Sequence, residues 1–397
     1  MEHTPFARRL WAVCCVCAAV SIDSARVEAA PCSDLPNPVY VACGSVSEPV
    51  LRRMGPLLAT AAAPDDLTVI YVFTQTCDTI NTLTTNGTLA GTGRYYPAGG
   101  GAPINCDIPA GTHPDAGVGN LFADTCRQIL PTLDLTGLRE GPTMVSPAAI
   151  IVPTASDQTA ISAEEAYFVY GFGMSGEVAP WLDDTLIYRR TPTAGTQFIV
   201  GASIGVPATR FRGTDGVSVQ ALLNSVATSM DPRSTVGFVS AAEADARRAD
   251  VRVLAFRASG QYRFYWPDSS AAAFDRRNVR DGHYQMWGYE HAYLPPGAPA
   301  GGRGERFFEY ITGARTLPGG EMTDIAIALG FVPTCAMDVE RLADDDGSSI
   351  RLASTGPSCS CYFDSHAPMG TTSCATCSTS TDCGSAGVCR RGLCEVR

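Results

Sequence analysis

The segment Tyr188-Arg189-Arg190-Thr191-Pro192-Thr193-Ala194-Gly195-Thr196-Gln197 concentrates groups that can hold an anion. It reads as a strand ending in Arg190, a turn of small residues and a helix opening at Gly195. Free N–H groups at a helix start attract negative charge. Gly195 lets the backbone approach a ligand, Thr196 adds a hydroxyl donor, and Arg190 offers a two-pronged guanidinium. A second cradle of the same construction, Cys43-Gly44-Ser45-Val46-Ser47-Glu48-Pro49, lies between an apolar run at 39–41 and a helical stretch at 48–58. One such cradle is equally well a strand–turn–helix whose Arg caps a surface. Two of them, far apart in one chain, point to a ligand clasped between two lobes.

Other patterns imitate catalytic or metal sites. Gly201-Ala202-Ser203-Ile204-Gly205 has the G-x-S-x-G spacing of a hydrolase nucleophile, and His283 or His291 follows in the right order to act as base. That motif needs a strand before the serine, whereas a helix is expected over 196–204. A secreted serine hydrolase using Ser203 therefore ranks behind a binding protein. Gly171-Phe172-Gly173-Met174-Ser175-Gly176 matches G-x-G-x-x-G but follows a helix, the order of a helix cap and loop and not of a dinucleotide site. Asp344-Asp345-Asp346-Gly347 lacks the alternating ligands and closing Glu of a calcium loop and reads as an acidic turn. The five His are scattered, with no i, i+4 pair. Trp181, Tyr265 and Trp266 read as packing residues. No metal and no cofactor are expected.

Strands must carry these cradles, and the sequence supplies them. Residues 67–73 form an unbroken β-branched run, 144–152 another, and shorter runs lie at 116–121, 186–188, 236–239, 251–256 and 292–294. Helical stretches lie between them at 162–170, 219–228 and 241–249, and two more follow at 306–312 and 322–329. Ser162 before Glu164-Glu165 is a helix-start signal, and Gly171 a stop. Residues 84–111, rich in Gly, Pro, Thr and Asn, read as loop. Strand–helix alternation implies α/β architecture with largely parallel sheets. No internal repeat is present.

Composition narrows the partners and the compartment. The chain is 45% apolar and 17% charged, as a folded protein requires. Its net charge of −11 argues against nucleic acid as a partner. All 29 basic residues are Arg, which excludes lysine Schiff-base and P-loop chemistry. Arg8-Arg9, the apolar stretch after them and Val27-Glu28-Ala29 describe a secretory signal at 1–29, too short to span a bilayer. Without it thirteen Cys remain, five up to Cys126 and eight from Cys335 onward. In an oxidising compartment they read as disulfides and not as a zinc site: two bridges in the first group, four in the second, and one thiol left over. Large apolar residues almost vanish after 359, so bridges must hold the tail.

The order of the cradles resembles that of the phosphate-type periplasmic substrate-binding proteins of ABC transporters. Val41-Ala42-Cys43-Gly44-Ser45-Val46 stands where that family has a strand and Gly-Ser-Ser-Thr. Thr74-Gln75-Thr76-Cys77 stands at its ligand hydroxyl. Asp115-Ala116-Gly117-Val118-Gly119-Asn120 replaces Gly-Ala-Ser-Asp, and Arg190 to Thr196 replaces Arg-x-x-x-Ser-Gly-Thr. The likeness covers about residues 38–335, and its fourth landmark is the most specific. Three departures matter: Asn120 replaces the acid that accepts the phosphate proton, Ala194 replaces a serine, and Cys43 replaces a glycine. Losing that acceptor and that donor removes charge-assisted bonds worth about 1.5–3 kcal/mol each.

The resemblance implies an α/β, two-lobed periplasmic-binding-protein-like (type II) fold with a small disulfide-rich C-terminal tail. Expected bounds are 31–143 plus 288–335 for lobe one, 144–287 for lobe two and 336–397 for the tail. It implies an extracytoplasmic binding protein, secreted, periplasmic or at the cell surface, and monomeric. That protein would capture a small oxyanion such as phosphate for an ABC transporter permease or another surface partner. Ser45, Val46, Thr76 and Asn120 would face Arg190, Gly195 and Thr196 across the cleft. The competing reading is a surface interaction module that kept the fold and lost the ligand. Because Cys43 takes a glycine's place in the first landmark, it is the thiol expected to stay free. Cys32, Cys77, Cys106, Cys126, Cys335, Cys359, Cys361, Cys374, Cys377, Cys383, Cys389 and Cys394 are then the bridged set.

Overall fold

Apolar runs that would expose their faces alone pair into one mixed sheet. The computed structural model describes residues 30–353, 358–385 and 387–396, so the expected leader lies outside the described residues. Strand β1 (Pro38–Cys43) leads to helix α1 (Glu48–Ala59), and β2 (Thr68–Phe73) to α2 (Thr76–Thr84). Then follow β3 (Thr92–Tyr95), β4 (Ile104–Asp107), β5 (Ala116–Gly119) and the long β6 (Arg139–Pro153). Next come β7 (Ala160–Ser162), α3 (Ala163–Phe172), β8 (Tyr188–Arg189), α4 (Gly195–Ile204), β9 (Thr214–Asp215) and α5 (Val219–Ala227). The chain continues through β10 (Gly237–Ser240), α6 (Ala241–Asp245), β11 (Val251–Val253), β12 (Ala255–Arg257) and α7 (Arg277–Arg280). It returns through β13 (Trp287–Leu294), α8 (Arg303–Ile311), α9 (Met322–Ala328) and β14 (Val332–Pro333), and α10 (Ser360–His366) opens the tail.

The strand order is β10-β6-β13-β5-β1-β2-β3-β4, with β11 and β14 also on β6. Only β1–β2 and β1–β5 are parallel within this sheet. The expectation of largely parallel sheets is corrected, because β6 and β13 run against their neighbours as they carry the chain out and back. Residues 139–147 of β6 pair with β13, 148–151 with β10 and 151–153 with β11. On one side of that switch Val41, Val69, Val118, Leu294, Phe307 and Ile325 share a core. On the other, Tyr170, Phe198, Val200, Phe211 and Phe238 belong to a second core.

Local chemistry sets several boundaries. Ser162 caps α3 by accepting from the Glu165 N–H at 3.1 Å, while Glu165 reaches back to the Ser162 N–H at 2.8 Å, a full capping box. Ser240 and Glu243 repeat the device on α6. Residues 84–111 are not all loop: β3 and β4 form an edge hairpin. Its polar, glycine-bearing sequence hides the alternation. The Cys32–Cys106 disulfide and the absence of a side chain at Gly93 hold it, since a Cβ there would lie 2.7 Å from Ile108 Cδ1.

The twelve cysteines expected to bridge do so, and Cys43 is free and buried. The pairs are Cys32–Cys106, Cys77–Cys126, Cys335–Cys359, Cys361–Cys374, Cys377–Cys389 and Cys383–Cys394. The tail also docks: Phe363 enters the second core, Tyr362 donates to Asp324 on α9 at 2.7 Å, and Arg280 on α7 pairs with Asp364.

A buried ion cluster braces the far side of the cleft. Arg276, 1% exposed, pairs with Asp245 and, at 2.8 Å, with Asp268. Removing one member of such a cluster strands its partners in low dielectric. Arg276→Met should therefore cost about 3–5 kcal/mol in urea denaturation; a change below about 1 kcal/mol would mean the carboxylates are already solvated.

Candidate functional site

Four strand ends bring the expected residues toward one place, the position where ligand clefts open in α/β proteins. β1 delivers Gly44 and the turn Ser45–Ser47, anchored by the Gly44 N–H to Val118 O at 3.2 Å. β2 delivers Thr74 and the start of α2 at Thr76. β5 delivers Asn120, and β8 delivers Arg190 and the start of α4 at Gly195.

The seven residues split into two groups. Thr76, Asn120, Gly195 and Thr196 are buried and packed together, and the three side chains are hydrogen-bonded in a row. Thr76 Oγ1 donates to Asn120 Oδ1 at 3.0 Å, and Asn120 Nδ2 donates to Thr196 Oγ1 at 3.4 Å. The Asn120 amide lies so close to α4 that a Cβ on Gly195 would sit 1.9 Å from Asn120 Oδ1, which only glycine permits. No ion fits between groups already in contact. Ser45, Val46 and Arg190 instead line a cavity of about 980 Å³ between the two halves of the chain.

Arg190 is the unusual member. It is 3% exposed, and its Nε has no hydrogen-bond partner; neither has the neighbouring Thr191 Oγ1. Among the described residues it makes no ion pair. Asp184, six residues earlier in the chain, accepts from the Met174 N–H at 2.6 Å. Asp215 pairs with Arg189 at 3.2 Å. Burial lowers the Arg190 pKa from its usual value, while the charges of Glu243 and Asp215 act the other way. A guanidinium stays ionised in proteins, so the cleft wall carries a cation that makes no ion pair among the described residues.

Two acids escaped the sequence reading. Glu243 lines the same cavity, and desolvation raises its pKa while Ser240 and Arg190 oppose the rise. Glu290, 1% exposed on β13, accepts from Ser47 Oγ at 3.0 Å and keeps Oε1 unpartnered. Burial pushes its pKa to about 7, with the charge of Glu243 adding to the rise and hydrogen bonds from Ser47 and Ser146 opposing it. The available signal was the pair Glu290-His291 inside the otherwise apolar strand Trp287-Gly288-Tyr289-Glu290-His291-Ala292-Tyr293-Leu294.

The hydrolase geometry is absent. Ser203 lies inside α4 with its Oγ donating to Ile199 O at 2.9 Å, so no elbow presents it. His291 is buried between Phe122 and Tyr293, and burial lowers its pKa to about 3. His283 pairs with Asp281 at 2.8 Å. Gly173 ends α3 with φ 59°, as a cap and loop should. Asp345 closes the acidic turn by accepting from the Gly347 N–H at 2.9 Å. Cys377, Cys383 and Cys394 cluster because their disulfides are adjacent.

No protein-family model matches this chain, and no curated protein is significantly similar to it. Among solved structures it is similar to a candidate phosphate ABC transporter substrate-binding protein with bound phosphate from Clostridium perfringens. That match has 12% identity and a TM-score of 0.53, over 75% of this chain and 100% of that one. An ABC-type phosphate transport receptor from Vibrio cholerae matches at 12% identity and a TM-score of 0.48, over 74% of this chain and 99% of its own. The chain thus has the two-lobed periplasmic-binding-protein-like fold of the phosphate-type substrate-binding proteins, carrying a divergent cleft and a disulfide-rich tail.

Two measurements probe the site. Gly195→Ala should destabilise the protein by about 1–3 kcal/mol through overpacking. Adding Asn120→Ala should recover part of that loss, because the clash is with the Asn120 amide; strictly additive effects in a denaturation cycle would refute the contact. For Glu290, the folded pKa near 7 lies above the ordinary 4.5, so its stabilising contribution is full below pH 4.5 and lost as pH rises through 7. Wild-type stability should therefore fall by about 3 kcal/mol more than that of Glu290→Gln across this window; parallel pH profiles would disprove the assignment.

Proposed function

We infer that this chain is an extracytoplasmic solute-binding protein, not an enzyme, that captures a small oxyanion, phosphate by its likeness, in the cleft between two lobes. The observation that carries this reading is the buried, unpaired Arg190 on the cavity wall. Lobe one comprises 31–143 and 288–335, lobe two 144–287, and 336–397 is the tail; the leader at 1–29 directs export. Hinge rotation about β6 near 144–150 and β13 near 290–294 brings Ser45, the Val46 N–H, Thr76 and Asn120 toward Arg190, Gly195 and Thr196, whose donors replace the anion's water. Asn120 must release Thr196 for an ion to sit between them, and the hinge opening supplies that release. The loaded protein works as a monomer and delivers its ligand to, or is sensed at, a membrane partner such as an ABC transporter permease. One observation favours the ligand-less interaction module instead: the Thr76–Asn120–Thr196 contacts already satisfy the cradle.

Titration calorimetry with inorganic phosphate at neutral pH separates the two readings. Binding should be abolished in Arg190→Ala with little loss of unliganded stability. In Arg190→Lys it should be weakened, because charge remains but the planar fork is lost. No heat and no thermal shift with the wild-type protein would sink the phosphate reading.

A further inference from the structure

The cavity in front of Arg190 is far larger than an inorganic oxyanion. At about 980 Å³ it lies near the top of the roughly 300–1,000 Å³ range that encloses organic ligands. Inorganic phosphate displaces only a few waters of about 30 Å³ each. Further closure cannot simply remove this space, because Asn120 already touches Gly195 and Thr196 at the back of the cleft.

The walls are chemically asymmetric. Phe73, Val217, Leu223, Phe274, Leu329 and Phe331 form apolar surface around the cavity. Two other arginines line it, but Arg276 is held by Asp245 and Asp268 and Arg247 by Asp250 at 2.6 Å. Arg190 is thus the one lining cation without an ion pair among the described residues, and it is buried to 3% exposure. Val217 stands at the cavity wall, 74% exposed and with φ 56°, a conformation costly for a β-branched residue. Apolar side chains facing a solvent-filled cleft gain from being covered, by about 25 cal/mol per Å².

We propose that the ligand is an organic oxyanion, with a phosphate-ester or carboxylate head on Arg190 and an apolar or aromatic body against Phe73, Val217 and Leu329. The proposal rests on the solute-binding reading and narrows its ligand class. The head meets the unpartnered guanidinium and the Ser45–Val46 turn. The body takes the space that a bare ion leaves to water.

The test is calorimetry of the full mature chain with inorganic phosphate, phenyl phosphate, benzoate and phenol. Phenyl phosphate or benzoate should bind at least ten-fold more tightly than inorganic phosphate, and the stronger of the two identifies the head. Phenol should not bind measurably. Val217→Ser and Leu329→Ser, at partly exposed positions, should reduce that preference several-fold without altering the inorganic ion's affinity. Arg190→Ala should abolish binding of the organic anion. Inorganic phosphate binding as tightly as both organic anions would overturn the proposal while leaving the solute-binding reading intact. Silence from all four compounds would overturn both. Phenol binding as well as phenyl phosphate would remove Arg190 from recognition and overturn the proposal.

Discussion

One strand governs this molecule. β6 runs fifteen residues, and its last ten are buried. A buried backbone must spend its hydrogen bonds inside the protein. β6 does so on both sides of a partner switch, with β13 before Ala148 and with β10 and β11 from Ala148 onward. Two parts of the sheet therefore share one strand, and neither can drift from the other without breaking a buried ladder. The cleft has to open beside that switch, because the parallel strands β1, β2 and β5 end there and α4 begins opposite them.

Electrostatics then separates the site from its surroundings. Several arginines are buried, and nearly all are served. Arg276 has two carboxylates, Arg280 has Asp364 and Ala336 O, and Arg341 donates to Gln285 O and lies 4.6 Å over Trp287. Among the described residues, Arg190 is the one cavity-lining arginine without an ion pair. An unpaired buried charge costs several kcal/mol, and proteins seldom carry one without a use. Glu243 and Asp215 ease that cost from a distance without neutralising the head. The cleft is thus polarised, with one unpaired cation in walls whose other arginines are held by carboxylates.

Much of this was legible in the sequence because its signals are local. The strand at 67–73, the capped helix after Ser162 and the glycine opening α4 all depend on neighbours within a few positions. The free Cys43 was legible only through the resemblance, in which it takes the place of a family glycine. What stayed hidden is nonlocal. The β3–β4 hairpin owes its existence to a disulfide with Cys32, seventy-four residues away from Cys106. The mixed strand directions follow from β6 and β13 crossing together, which no single window reveals. Glu290 reads as a lone charge in an apolar run until Ser47 is placed beside it, and the Asn120–Thr196 contact joins residues 76 positions apart.

The tail shows how an element without a core can still belong to the site. Its bridges hold it together, but three contacts decide where it sits. Arg280 grips Asp364 and lies over Phe363 at 4.8 Å; Tyr362 bonds Asp324; Arg391 pairs with Glu321. α7 precedes the return strand β13, whereas α9 packs against α1 in the other core. Docking on both fixes α10, and the loop after it puts Pro368 on the wall of the main cavity. The cysteine-rich segment is therefore part of the cavity's frame, held there by Arg280, Asp324 and Glu321 through one short helix and its bridges.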